Sequence, residues 1–372
     1  MKSETLFVAA LMGLAAAFPA GAAWAKGPGA EPLRALEGAQ VNDIAFLGDS
    51  YAVGTTSGLF HLDRMLKVLG RRADAGSVSA LAADGNTLFV GSECGLFKEE
   101  KGRWSRVPVL NGLKEECDGS LGVRAMCLNV QKAKKGGRPR KTLFLSLEDA
   151  STESVEPLGL FAYDVAKGTG APFTALKAFG SPPVTAMLCA GERVYFGTDD
   201  EPQVPQPGHV FAVELPSMAA SPATEGMPRA DEFDVAEITA LHRKGGVLLV
   251  GRYAGHGTGQ CVLAAGRLAA GRDAKWSCLL KSEADRLEGI SSIQSVGKGY
   301  LAGSGLMANV DAARVFHVGE DLSVSEIVGL PLRGQLVSLR VRGGKAFLGT
   351  TDGLVVLPVG DLLPPSAPRP RP

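Results

Sequence analysis

The chain has 372 residues, with 39 Lys plus Arg balanced by 39 Asp plus Glu. A formally neutral chain carries no net field with which to hold nucleic acid or an anionic membrane, and after the N-terminal segment no apolar run reaches the ~18 residues of a membrane-spanning helix. With 48 glycines, 22 prolines and 6% aromatic residues, it is rich in tight turns and lean in large core side chains. Length alone suggests two or three domains, but that expectation fails for closed repeat arrays.

The N-terminus reads as a secretory signal. Lys2 gives a positive start, Leu6 to Ala17 an apolar core, and Ala23-Trp24-Ala25 an A-x-A cleavage site before Lys26. Residues 1–25 are therefore expected to be removed. The competing reading is an uncleaved anchor helix, against which Pro19 and the small-residue site argue. The mature protein is expected in a periplasm or outside the cell, and as a monomer.

After a short Gly/Pro-containing leader, Val41 to Leu59 opens the first of seven similar units. The clearest is the second, Val78 to Phe97, VSALAADGNTLFVGSECGLF. It reads as three short strands. Asp84-Gly85-Asn86 turns the chain between the first two, because Gly and Asn tolerate positive φ, and Ser92 to Gly95 turns it again. Related stretches begin at Val41, Val78, Val123, Val184, Ile238, Ile290 and Val337, which puts successive starts 37, 45, 61, 54, 52 and 47 residues apart. One aligned column holds Gly54, Gly91, Ser146, Gly197, Gly251, Gly303 and Gly349.

A three-strand meander that is apolar on both sides needs neighbours of its own kind to bury it. This period, with variable insertions, predicts an all-β, seven-bladed β-propeller over residues 26–362. Unit seven runs directly into a Pro-rich tail, residues 363–372, expected to be disordered. It therefore lacks a fourth strand of its own. Leu33 to Leu36 is expected to supply that strand, closing the ring and covering an edge.

Export makes six cysteines a disulfide set, with 15 connectivities open to it. Cys94 and Cys117 fall in loops at one end of unit two. Cys261 opens the third strand of unit five and Cys278 is placed at the end of the fourth, so antiparallel pairing brings them together. Cys127 and Cys189, on adjacent innermost strands and one position out of register, are left open between a bridge and two small buried side chains.

From the column position to the next Gly or its equivalent, the separation is four residues in units one, two and seven. It is 13, 11, 8 and 10 in units three to six: Ser146–Gly159, Gly197–Gly208, Gly251–Gly259 and Gly303–Ala313. Long loops clustered on a rigid scaffold carry function. Candidate binding residues on this face are Glu148, Asp149, Glu153, Asp199, Asp200, Glu201, Tyr253 and His256. Acidic residues dominate these loops, and Lys132, Lys134, Lys135, Arg138, Arg140, Arg243, Lys244, Arg342 and Lys345 dominate the turns of the other end, which predicts an acidic and a basic face.

No G-x-S-x-G, H-E-x-x-H, C-x-x-C or Walker loop is present, and no dinucleotide fingerprint opens a helix. No cofactor is expected, Ca²⁺ at Asp199-Asp200-Glu201 being the one candidate ion. The reading is a non-enzymatic exported module that binds an envelope protein, peptide or glycan through the long-loop face of blades 3 to 6. The alternative is a lyase or lactonase with a metal in the central channel, for which the inner strands offer Asp43, Asn129 and His242. Trp104 and Trp276 are expected to pack over blade edges.

The repeat V-x-A-L-x-x-x-G-x-L-F-V-G-T/S-x-x-G-L-F resembles the two-component-regulator propeller repeat of periplasmic sensor regions. It is carried by Gly85, Leu88, Gly91, Gly95 and Leu96 in unit two, by Gly54, Gly58 and Leu59 in unit one, and by Gly349, Gly353 and Leu354 in unit seven. The resemblance implies a propeller that serves as a ligand sensor or scaffold.

Overall fold

A computed structural model describes residues 33–109, 117, 121–133, 138–149, 156–199, 209–224, 227, 237–253, 258–268, 275–283, 287–305 and 313–363. These form seven four-stranded antiparallel sheets. The innermost strands are Val41–Leu47, Val78–Asp84, Gly122–Gln131, Val184–Ala190, Glu237–Lys244, Ser292–Val296 and Leu336–Arg342. Each packs beside the next, and the seventh returns to the first. The chain is a seven-bladed β-propeller. Leu33–Ala35 pairs antiparallel with Gly353–Pro358, Leu33 opposite Val356 and Ala35 opposite Leu354, so the first strand completes the last blade.

The core lies in the seams between blades, because each sheet is apolar on both faces. Leu143, Leu145 and Leu147 of blade 3, for example, pack with Phe89 and Leu96 of blade 2. Two devices recur at these seams. The first is the glycine column. A Cβ on Gly54 would lie 2.5 Å from Val78 Cγ1 and one on Gly91 2.6 Å from Val123 Cγ1; Gly197, Gly303 and Gly349 are closed off in the same way by Ile238, Leu336 and Val41. Glycine is required there because the neighbouring blade's first core residue occupies the space.

The second device is a hydrogen bond from the next residue of the innermost strand to that same core residue's carbonyl one blade on. Asn42 Nδ2 donates to Val78 O at 2.8 Å, Thr185 to Ile238 O at 2.6 Å, Thr239 to Ile290 O at 2.5 Å and Ser291 to Leu336 O at 2.7 Å. Ser79 bonds Val123 O likewise; blade 7 carries Val337 at that position, and Ser338, one residue further on, bonds Val41 O at 3.4 Å to close the ring. Each such bond contributes about 1 kcal/mol.

Blade 3 departs from both devices. It carries buried Ser146 in the glycine column and Arg124 in the hydroxyl column. Its seam to blade 4 is instead crosslinked by Cys127–Cys189, with Cα atoms 5.8 Å apart. The offset noted in sequence does not prevent this bridge: the two innermost strands pack side by side, and these positions lie within reach across the seam.

Cys94–Cys117 and Cys261–Cys278 are also bonded, with Cα separations of 4.6 and 5.7 Å. Cys278, however, lies in the middle of Lys275–Lys281 rather than at its end, opposite Ala264. Cys261 itself lies opposite Lys281, with register irregularities on both sides of Leu263 between the two cysteines. Trp104 stacks on Phe97 with centroids 4.8 Å apart, and Trp276 is buried against Gly266, both packing roles.

Candidate functional site at the channel mouth

Every innermost strand starts at the face that also carries the long loops, since Glu148 lies opposite Gly122 and Tyr253 opposite Glu237 in register. The first residues of the seven strands surround a polar cavity of about 200 Å³ at the mouth of the central channel. Around most of its rim the hydroxyls and the amide are committed to neighbouring blades, as above. Arg124 is not. Its Nη2 lies 3.0 Å from Glu237 Oε1 of blade 5 and 3.4 Å from Asp199 Oδ2 of blade 4, with all three side chains about one-third exposed.

Carboxylates outnumber this guanidinium. Burial pushes the Glu148 carboxyl above the usual range, with Arg124 opposing. Burial also raises Glu237; Arg124 opposes, while Asp199 adds to the shift. The Tyr253 phenol is raised by burial and by the negative charge of Glu288 and Glu237. Glu288 itself is only 5% exposed. Burial and neighbouring negative charge thus raise Glu148, Glu237 and Tyr253 together, and a cation placed beside them would favour their charged forms.

Of the candidate residues read from sequence, Glu148, Asp199 and Tyr253 are therefore brought to one site, and Asp149 ends the same strand as Glu148. Glu153, Asp200, Glu201 and His256 lie outside the described residues. So do the remaining members of the Ca²⁺ candidate, while Asp199 itself faces Arg124. Arg124, Glu237 and Glu288 escaped the sequence reading. Arg124 was findable: it is the one long cation in a column of Asn42, Ser79, Thr185, Thr239 and Ser291.

Of the channel candidates, Asp43 and His242 are held by their own neighbours. Asp43 accepts from Arg340 at 2.5 Å and from the amides of Ile44 and Leu81 at 2.8 Å, which ties blades 7, 1 and 2. A ring nitrogen of His242 is 2.5 Å from Ser295 Oγ, and burial, with Lys244 and Arg340, lowers its pKa to about 4. Asn129 is 1% exposed. Among the described residues no group of three or more His, Cys, Asp or Glu is arranged to hold a metal ion. The turn face is mixed in sign rather than basic, with Lys141 bonded to Asp84 at 2.5 Å, Lys298 to Glu320 at 3.5 Å, and Arg193 to Glu214.

No protein-family model and no curated protein matches this sequence. Solved structures do. Virginiamycin B lyase from Staphylococcus aureus is 8% identical with a TM-score of 0.54, the match covering 88% of this chain and 97% of that one. The Pan2 WD40 domain of Neurospora crassa is 11% identical at TM-score 0.52, covering 86% and 89%. PorZ of Porphyromonas gingivalis, a surface component of the type-IX secretion system, is 13% identical at TM-score 0.51; the match covers 89% of this chain but only 38% of PorZ. At such identities the likeness is one of fold. Fold does not carry function across. Among the described residues no helix is long and apolar enough to cross a membrane.

Proposed function

We propose that this protein is an exported binding module that grips a cationic group of a partner protein or peptide at the channel mouth, on the long-loop side of blades 3 to 5. The observation that carries the reading is the diversion of Arg124. At that position four other blades use a hydroxyl, and a fifth an amide, to tie the ring together. Blade 3 gives up that tie and places an ion network with Glu237 and Asp199 at the rim, in the sector where the loops are longest. Export is supported by the signal-like leader and by three disulfides, which persist in oxidising compartments. The sensor-repeat resemblance agrees with this role.

The test is calorimetric titration of the mature chain with a tetralysine peptide. The expected result is binding that weakens with added salt, as charge screening demands, and falls about tenfold in Glu237→Gln. Equal binding of a tetraglutamate peptide, or no effect of Glu237→Gln, overturns the reading.

A further inference from the structure

Among the described residues six large hydrophobic side chains are exposed, and three of them, Met65 (66%), Val68 (46%) and Leu69 (62%), fall within five residues of blade 1. They lie on the hairpin after Gly58–Leu62 and on the outermost strand Val68–Arg72, whose far side pairs with no strand among the described residues. Proteins blunt such edges with charge or proline. Thr169–Pro172 and Ala220–Pro222 end in proline, and Arg103–Arg106 and Lys275–Lys281 begin and end on cations. Val68–Arg72 instead begins with two exposed apolar residues.

The charge around it is one-sided. Arg64, Lys67, Arg71 and Arg72 flank the apolar residues, and none of the four forms an ion pair among the described residues. Arg71 is held over the Phe60 ring at 5.3 Å and donates to Ser57 O at 2.7 Å, while Arg72 lies over Trp104 at 5.6 Å. Asp63 is the one carboxylate between residues 58 and 73. It accepts from the amides of Met65 and Lys67 at 2.8 and 2.9 Å, so it is committed to the hairpin turn.

We propose that the free edge of Val68–Arg72 docks an extended segment of a partner protein that carries apolar side chains interleaved with carboxylates. Main-chain hydrogen bonds along the edge would supply affinity, and the exposed apolar and cationic side chains the selectivity. A second copy of this chain is disfavoured as the occupant, because it would set unpaired cations against unpaired cations. The surface lies on blade 1, apart from the mouth residues of blades 3 to 5, so it stands whether or not those residues bind.

The probe is a fluorescein-labelled peptide alternating Val and Glu, with its Val and Lys counterpart as control, added to the mature chain. The expected result is binding of the acidic peptide alone, with slowed amide exchange confined to Met65 through Arg72. Leu69→Glu, at an exposed site, weakens it about tenfold without changing the melting transition; Met65→Glu serves if that variant fails to fold. Absent binding at millimolar peptide, binding indifferent to these variants, protection at the channel mouth instead, or dimerisation through this edge each overturns the proposal.

Discussion

The seam between blades 3 and 4 replaces two non-covalent devices with a disulfide, and replacing Cys127 and Cys189 by Ser tests that substitution. The two cysteines are 62 residues apart. Loop-closure entropy puts the stabilisation from such a crosslink at about 4 kcal/mol, against about 3 kcal/mol for the 17-residue separation of Cys261 and Cys278. The hydroxyl–carbonyl bond that Arg124 forgoes is worth about 1 kcal/mol, so a single restored bond of that kind could not stand in for the bridge. A propeller draws on a total of only ~5–15 kcal/mol, so the double variant should lose a large share of its stability in equilibrium urea unfolding. The location of the loss is the sharper prediction. Amide exchange should accelerate on Gly122–Gln131 and Val184–Ala190, the strands flanking the seam, before any other innermost strand. A Cys261→Ser, Cys278→Ser control loosens only its own blade. Uniform acceleration around the ring, or a smaller loss than in the control, would refute the reasoning.

Three further outcomes follow from the same contacts. Gly91→Ala sets a Cβ 2.6 Å from Val123 Cγ1 and should lower unfolding free energy by roughly 1–3 kcal/mol, whereas Ser146→Ala, in the blade without the glycine, costs less; urea midpoints decide it. His242 is held neutral, with a folded pKa of about 4 below its ordinary 6.5, so its contribution is complete above pH ~6.5 and lost as pH falls toward 4. His242→Gln should remove that acid-side slope, at most roughly 3 kcal/mol, in midpoints measured across the window. The Glu237 carboxyl is raised by burial, so its contribution is present below the ordinary carboxylate pKa and is lost as pH rises through the folded value. Glu237→Gln should therefore raise the melting temperature at neutral pH and change it little near pH ~4.

The fold was legible because the seam devices repeat. A core Val, Ile or Leu, a small polar residue after it and a column glycine recur from blade to blade, and each has a packing reason. The closing strand Leu33–Ala35 could be inferred because blade 7 had one strand too few. Less legible were features in which one residue is read against its neighbours in space. The approach of Cys127 to Cys189 across the seam, and the placing of Cys278 in the middle of its strand, leave no mark in composition. Glu237 and Glu288 lie just before or between repeat motifs, so they join the mouth only once the ring has closed. Sorting charges by loop failed at the turn face, because Asp84, Glu214 and Glu320 come from different hairpins than the cations they neutralise.

Site-specific photocrosslinking from position 253 in the cell that makes the protein tests the binding claim most directly. With benzoylphenylalanine replacing Tyr253, at the rim beside Glu237, one dominant partner should be captured. It should disappear when Glu237→Gln and Asp199→Asn are combined, and should not be captured from position 298 on the turn face, where the Lys298 side chain is 86% exposed. The same adducts from both positions, or none from position 253 in folded protein, would contradict it.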